Sequence, residues 1–86
     1  MASVEEVRAG IALANEKATE SVAALQQATT SLEQAQSALN QVTQGSSQSD
    51  AEQANAMLAQ AISKIGEAEQ SVGAAISTAE GYAGRL

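Results

Sequence analysis

The chain has 86 residues, a formal net charge of −6, and no cysteine, histidine or proline. This length holds one small domain, and the missing Cys and His remove disulfides, thiolate ligands, and the commonest metal ligand and general base. The excess of 10 acidic over 4 basic residues opposes binding to nucleic acid or to anionic membrane surfaces, so we expect neither as a partner.

A capping box and a long heptad repeat predict a first helix over residues 4–44. Ser3 and Glu6 form the S-x-x-E box, which satisfies two free amides at a helix start. Mostly apolar residues then recur in two heptad series three places apart, the a/d pattern of a coiled coil. The a series is Val4, Ile11, Ala18, Leu25, Leu32 and Leu39, and the d series is Val7, Ala14, Ser21, Ala28, Ala35 and Val42.

A Gly/Ser-rich stretch predicts a turn at residues 45–49, followed by a second helix over residues 50–83. Gly45 suits the left-handed position that ends a helix, and Ser49 with Glu52 forms a second capping box. The heptad then resumes. Its a series is Ala51, Leu58, Ile65, Val72, Ala79 and Leu86, and its d series is Ala54, Ala61, Ala68, Ala75 and Tyr82.

The two a/d seams predict an antiparallel pairing of the helices. If Val42 faces Ala51, the numbers of paired residues add up to 93, and nearly every layer combines one large with one small side chain. Such alternation lets two helices interdigitate without voids. We therefore predict an all-α, antiparallel two-helix hairpin, an Ala-rich coiled coil, as a single domain over residues 1–86.

A two-helix hairpin of this size buries little apolar surface and usually needs a further surface to cover. Ile62 and Ile76 fall at heptad position e, off the predicted seam, with small residues around them. The candidate association face consists of Ala59, Ile62, Gly66, Gly73, Ile76 and Ala83. It predicts a four-helix bundle, formed as a homodimer or with a helical protein partner. Scattered surface hydrophobes are the alternative interpretation.

The residue types needed for catalysis are missing. Ser and Thr are abundant, but no His, Cys or activating Lys accompanies them. The acidic residues lie outside a and d, whereas a di-metal bundle needs inward Glu and Glu-x-x-His. Gly66 and Gly73 lie in mid-helix without the Lys-Ser/Thr of a phosphate loop. We predict no enzyme, no catalytic, cofactor-binding or metal residues, and no cofactor.

The architecture of two long helices with a Gly/Ser turn, in a leaderless acidic chain, resembles the WXG-type small proteins of type VII secretion. The Ala/Gln/Glu-rich composition also looks like that of short actinobacterial proteins. The resemblance covers the whole chain and implies a helical-hairpin homo- or heterodimer exported with a larger partner. The turn after Gln44 contains no Trp, and Tyr82 is followed four residues later by Leu86 rather than by an acid. No functional residue is therefore carried over.

These observations favour a non-enzymatic protein–protein interaction or adaptor module. The alternative is a type VII-like hairpin, secreted without a leader or acting as a chaperone. The N-terminus lacks the basic start and apolar core of a signal peptide, so we expect a cytoplasmic protein, with leaderless secretion as the alternative.

Overall fold

The computed structural model describes residues 2–44 and 49–86, which form two α-helices. Helix α1 spans Val4–Thr43 and helix α2 spans Ser49–Gly84. The two helices pack along each other as an elongated hairpin with extents of 64, 18 and 14 Å. The described residues contain no β-strand, so the prediction of an all-α helical hairpin is confirmed.

The start of α1 has one of the two hydrogen bonds of the predicted capping box. Ser3 has an extended backbone, with φ −74° and ψ 164°, and its Oγ accepts a hydrogen bond of 3.1 Å from the Glu6 amide. Glu5 and Glu6 place negative charge in the first turn, where the helix dipole favours it. The helix ends at Thr43, one residue before the predicted end.

The limits of α2 each differ from the prediction by one residue. Ser49 is the first helical residue rather than the residue that precedes the helix, and the helix continues to Gly84. Beyond it, the amides of Arg85 and Leu86 donate to the carbonyls of Tyr82 and Ala83, at 3.1 and 3.3 Å, and tighten the last turn. The predicted turn residues 45–48 lie outside the described residues.

Half-buried residues recur along both helices and mark the seam between them. As predicted, the a series is half-buried from Ile11 to Leu39 on α1 and from Ala51 to Ala79 on α2. The second half-buried series on each helix, however, lies four residues after a, at heptad position e, rather than at the predicted position d. On α1 this series consists of Asn15, Val22, Thr29, Gln36 and Thr43, and on α2 of Asn55, Ile62, Glu69, Ile76 and Ala83.

The predicted d positions lie beside this seam rather than inside it. Ala14, Ser21 and Ala35 are exposed, and Val42 and Tyr82 retain 81% and 47% of their accessible surface. Val7 and Ala28 of α1 and Ala54, Ala61 and Ala68 of α2 are half-buried, so five of the eleven predicted d residues are partly covered. The d series therefore borders the seam, and the e series is the more regularly covered companion of a. Positions d and e lie on either side of a, about 60° and 40° away around the helix.

The half-buried series also revise the pairing of the two helices. Each half-buried a residue of one helix lies opposite a half-buried e residue of the other when the two residue numbers add up to 94. Ile11 then lies opposite Ala83, and Thr43 lies opposite Ala51. The predicted sum of 93 would place Ile11 opposite Tyr82, which is exposed. The revised layers include Leu39 with Asn55, Gln36 with Leu58, Leu32 with Ile62, Leu25 with Glu69, and Ala18 with Ile76.

Threonines enter the seam because their hydroxyls are satisfied within their own helix. Thr29 Oγ1 donates to the Leu25 carbonyl at 3.1 Å, and Thr43 Oγ1 donates to the Leu39 carbonyl at 2.7 Å. Each methyl group is then available to pack against the neighbouring helix. Ser21, predicted on the seam, is exposed, and its hydroxyl donates to the Ala18 carbonyl at 2.6 Å.

We expect the Ser3→Ala substitution to lower the free energy of unfolding by about 1 kcal/mol, because it removes the acceptor of the Glu6 amide. Urea unfolding followed by far-ultraviolet circular dichroism measures the change. Ser3→Asp is the matched control and should unfold like the wild type, since aspartate caps a helix as well as serine does. Equal stability of all three proteins would contradict a stabilising role for the cap.

Candidate association surface

The hairpin leaves an unusually large surface exposed for its mass. None of the described side chains is fully buried, and the accessible surface is 6198 Å². A compact monomer of 8.7 kDa exposes about 4,700 Å², so the excess is roughly 1,500 Å². The radius of gyration of 19.4 Å likewise exceeds the about 12 Å of a compact chain of this length. Each helix is covered along one side only.

The six residues of the predicted association face do not form one exposed surface. Ile62, Ile76 and Ala83 are half-buried and belong to the e series of the seam, so their predicted position off the seam is wrong. Ala59, Gly66 and Gly73 are exposed. Association through these six residues stays a prediction, but half of them already pack within the hairpin.

A groove of about 580 Å³ runs between the helices beside the two glycines. A Cβ atom added at Gly66 or Gly73 would meet no other atom within 4 Å, so packing within the hairpin does not require glycine there. The groove brings residues of both helices to one side of the hairpin. Its lining consists of Thr19, Val22, Gly66, Glu69, Gln70, Gly73 and Ile76.

A polar cluster crosses the seam near the turn. The Gln36 side-chain amide donates to the backbone carbonyl of Asn55 at 3.4 Å. The side chain of Asn55 in turn donates from Nδ2 to Asn40 Oδ1 at 2.5 Å. Asn55 Oδ1 is buried and has no hydrogen-bond partner among the described residues. A second groove of about 480 Å³, with Asn40 and Asn55 in its wall, opens here on the same side as the glycines. Sequence reasoning missed this cluster because it assigned the seam by apolar residues alone.

The two exposed sides of the hairpin differ in chemistry. The seam is centred between a and e, so b lies about 80° from it in one direction and d about 80° in the other. Because the helices run antiparallel, the b series of both reach one side, as the groove lined by Thr19, Gly66 and Gly73 demonstrates, and the d series of both reach the other side.

We call the b side the groove face and the d side the alanine face. The groove face consists of Glu5, Ala12, Thr19, Gln26, Glu33 and Asn40 of α1 with Glu52, Ala59, Gly66, Gly73 and Glu80 of α2. The alanine face consists of Val7, Ala14, Ser21, Ala28, Ala35 and Val42 of α1 with Ala54, Ala61, Ala68, Ala75 and Tyr82 of α2.

Charge separates the same two sides. The groove face contains four glutamates, whereas the alanine face contains no charged residue and only the hydroxyls of Ser21 and Tyr82 as polar groups. Lys17, Asp50, Lys64 and Arg85 are the charged residues of the g series, which borders the alanine face about 60° further around each helix. Lys17 also forms an ion pair of 3.3 Å with Glu20, in which both side chains are exposed.

Within residues 2–44 and 49–86, no group of three acidic side chains is placed to hold a metal ion. Neither described helix combines the length and apolar character that a membrane span requires.

The fold and surface together define an all-α helical hairpin with two chemically different exposed faces. Comparison with known proteins adds no relative, since no family model, no curated protein and no solved structure matches the chain.

We expect Asn55→Leu to raise the free energy of unfolding by about 1 kcal/mol, because it removes the buried side-chain oxygen Oδ1, to which no group among the described residues donates. The paired variant Asn40→Ala should lower it by a similar amount, since Asn55 Nδ2 then loses its acceptor. Both changes are measured by urea unfolding. A loss of stability in Asn55→Leu would mean that the amide contributes more than its buried oxygen costs.

Proposed function

We propose that the protein is a non-enzymatic protein–protein interaction module, a helical hairpin that completes its core by packing against further helices. The observation that supports the proposal is the absence of any fully buried side chain among the described residues. Burial of apolar surface is the main favourable term in folding. A hairpin with only half-buried seam residues therefore gains most by covering a second side of each helix.

The simplest complete core is a four-helix bundle made of two hairpins. Covering the excess of roughly 1,500 Å² on each of two copies would bury about 3,000 Å² in total, within the range of obligate homodimers. A second copy and another helical protein could both supply the missing helices. In either case the function is association, and the adaptor role follows from the surface that the completed bundle presents.

We expect the purified protein to have twice the 8.7 kDa chain mass by light scattering coupled to size exclusion. Because unfolding would then separate two chains, its melting temperature should rise with protein concentration. A helical monomer that melts cooperatively, at a temperature independent of concentration, would show that the hairpin needs no partner and would overturn the proposal.

The variant Ile62→Asp/Ile76→Asp, which the sequence suggests for disrupting an assembly, is unsuitable for this test. Both isoleucines are half-buried in the seam, opposite Leu32 and Ala18. Aspartate there would be desolvated without a partner and would destabilise the hairpin itself. A loss of association would then follow from unfolding, so exposed positions are needed instead.

The second candidate function is a type VII-like hairpin that is exported or that accompanies a larger exported protein. Two helices of 40 and 36 residues joined near the middle of the chain support it. Under this proposal, antibody detection should find the native protein in culture supernatant at a higher fraction than a cytoplasmic marker. Confinement to the cell lysate would contradict export, while leaving the interaction proposal intact.

A further inference from the structure

We infer that the partner is a second copy of this chain and that the two copies pack alanine face against alanine face. The inference rests on the proposed function and specifies its surface and its partner. Both follow from features of the described residues: the area of the face, the size of its side chains and the position of the charges.

The side of the hairpin that carries the alanine face is large enough for a dimer interface. The hairpin extends over 64 by 18 Å, so one whole side has an outline of roughly 1,150 Å², against the about 800 Å² that each partner covers in an interface of standard size. Six of the eleven residues of the alanine face are exposed, and the other five are half-buried within the hairpin. Val42 and Tyr82, exposed by 81% and 47%, lie towards opposite ends of this face. They are among its largest apolar side chains and would lose surface along with the alanines between them.

The side chains of the face permit close approach of another helix pair. Ala54, Ala61 and Ala68 of α2 are half-buried, and Ala14, Ser21 and Ala35 of α1 are exposed, so small side chains lie along most of this side. With paired numbers that add up to 94, the d residues of the two helices alternate along the hairpin at steps of two and five residues, about 3 and 7.5 Å at the helical rise of 1.5 Å per residue. Small side chains at this spacing let four helices approach and interdigitate.

Charge favours a second copy on this face over a second copy on the groove face. Each chain has a net charge of −6, so two copies approach most easily where acidic residues are absent. The groove face has Glu5, Glu33, Glu52 and Glu80, whereas the alanine face has no charge. Of the charged residues along its border, Lys64 and Arg85 are basic, Asp50 is acidic, and Lys17 is paired with Glu20.

Exposed alanines on the two faces provide a matched test. Ala35→Gln/Ala75→Gln enlarges two residues of the alanine face, and Ala12→Gln/Ala59→Gln makes the same change on the groove face. All four alanines are exposed, and glutamine is a good helix former, so both variants should retain the helix content of the hairpin. Circular dichroism checks that they do.

Light scattering across a wide concentration range gives the first reading. We expect the wild type and the groove-face variant to be dimers and the alanine-face variant to dissociate, with its dissociation constant raised roughly a hundredfold by overpacking. If the groove-face variant dissociates and the alanine-face variant does not, the inference is overturned while the proposed function stands.

A wild type that stays monomeric also overturns the inference, and circular dichroism then separates the two proposals. A poorly helical monomer still needs a different helical partner and leaves the proposed function in place. A fully helical monomer with cooperative melting overturns both.

Tyr82 supplies an independent reading because it is the only aromatic residue of the chain and lies on the alanine face. We expect acrylamide to quench its fluorescence less as the wild type is concentrated into the dimer. The alanine-face variant should keep the quenching of the dilute protein. Quenching that is unchanged while the mass doubles would mean that this end of the alanine face is not covered, against the inference.

Discussion

Two helices in contact can cover only one side of each other, and this constraint governs the structure of the protein. The heptad repeat supplies one continuous line of contact, and every half-buried residue follows from it. No third element is present among the described residues to cover the other sides. The outcome is a hairpin with an organised seam and no fully buried side chain. A second layer of helices would cover these exposed sides, and the proposed association is based on this.

The seam itself is more polar than a coiled-coil interior usually is. Its e series includes Asn15, Gln36 and Asn55, and Asn55 has a buried oxygen without a partner among the described residues. Such residues weaken packing, but they also disfavour pairings in which they would lose their bonds. The contacts of Asn55 with Gln36 and Asn40 join the helices near the turn, where they help to set the pairing of all later layers. Polar seam residues thus lower the stability of the hairpin but help to define the register of its two helices.

The two outer faces follow from the same rotation of the seam. Placing e inside moves Ile62 and Ile76 of α2 into the hairpin and leaves the d series at the edge of the seam, where some of its alanines are half-buried and others are exposed. The predicted association face is thereby divided, because Ile62, Ile76 and Ala83 turn inward while Ala59, Gly66 and Gly73 stay exposed. An uncharged apolar side appears opposite to an acidic, grooved side. Neither side could be recognised before the seam was located, since each is defined by its angle from the seam.

The sequence by itself determined the helices, the first cap and the hairpin, because these depend on local features: the heptad period, the Ser3 side chain and the breaking stretch after Gln44. It also determined that the a series faces the partner helix. Only the tertiary structure decided between d and e as the companion series, and with it the register and the exposed faces. A seam made of a and d and a seam made of a and e both give a continuous stripe along the helix. The heptad period alone therefore does not distinguish the alanines of d from the mixed residues of e as the second series of the seam. Packing decides, because a large Ile62 gains more surface by facing Leu32 than an alanine would.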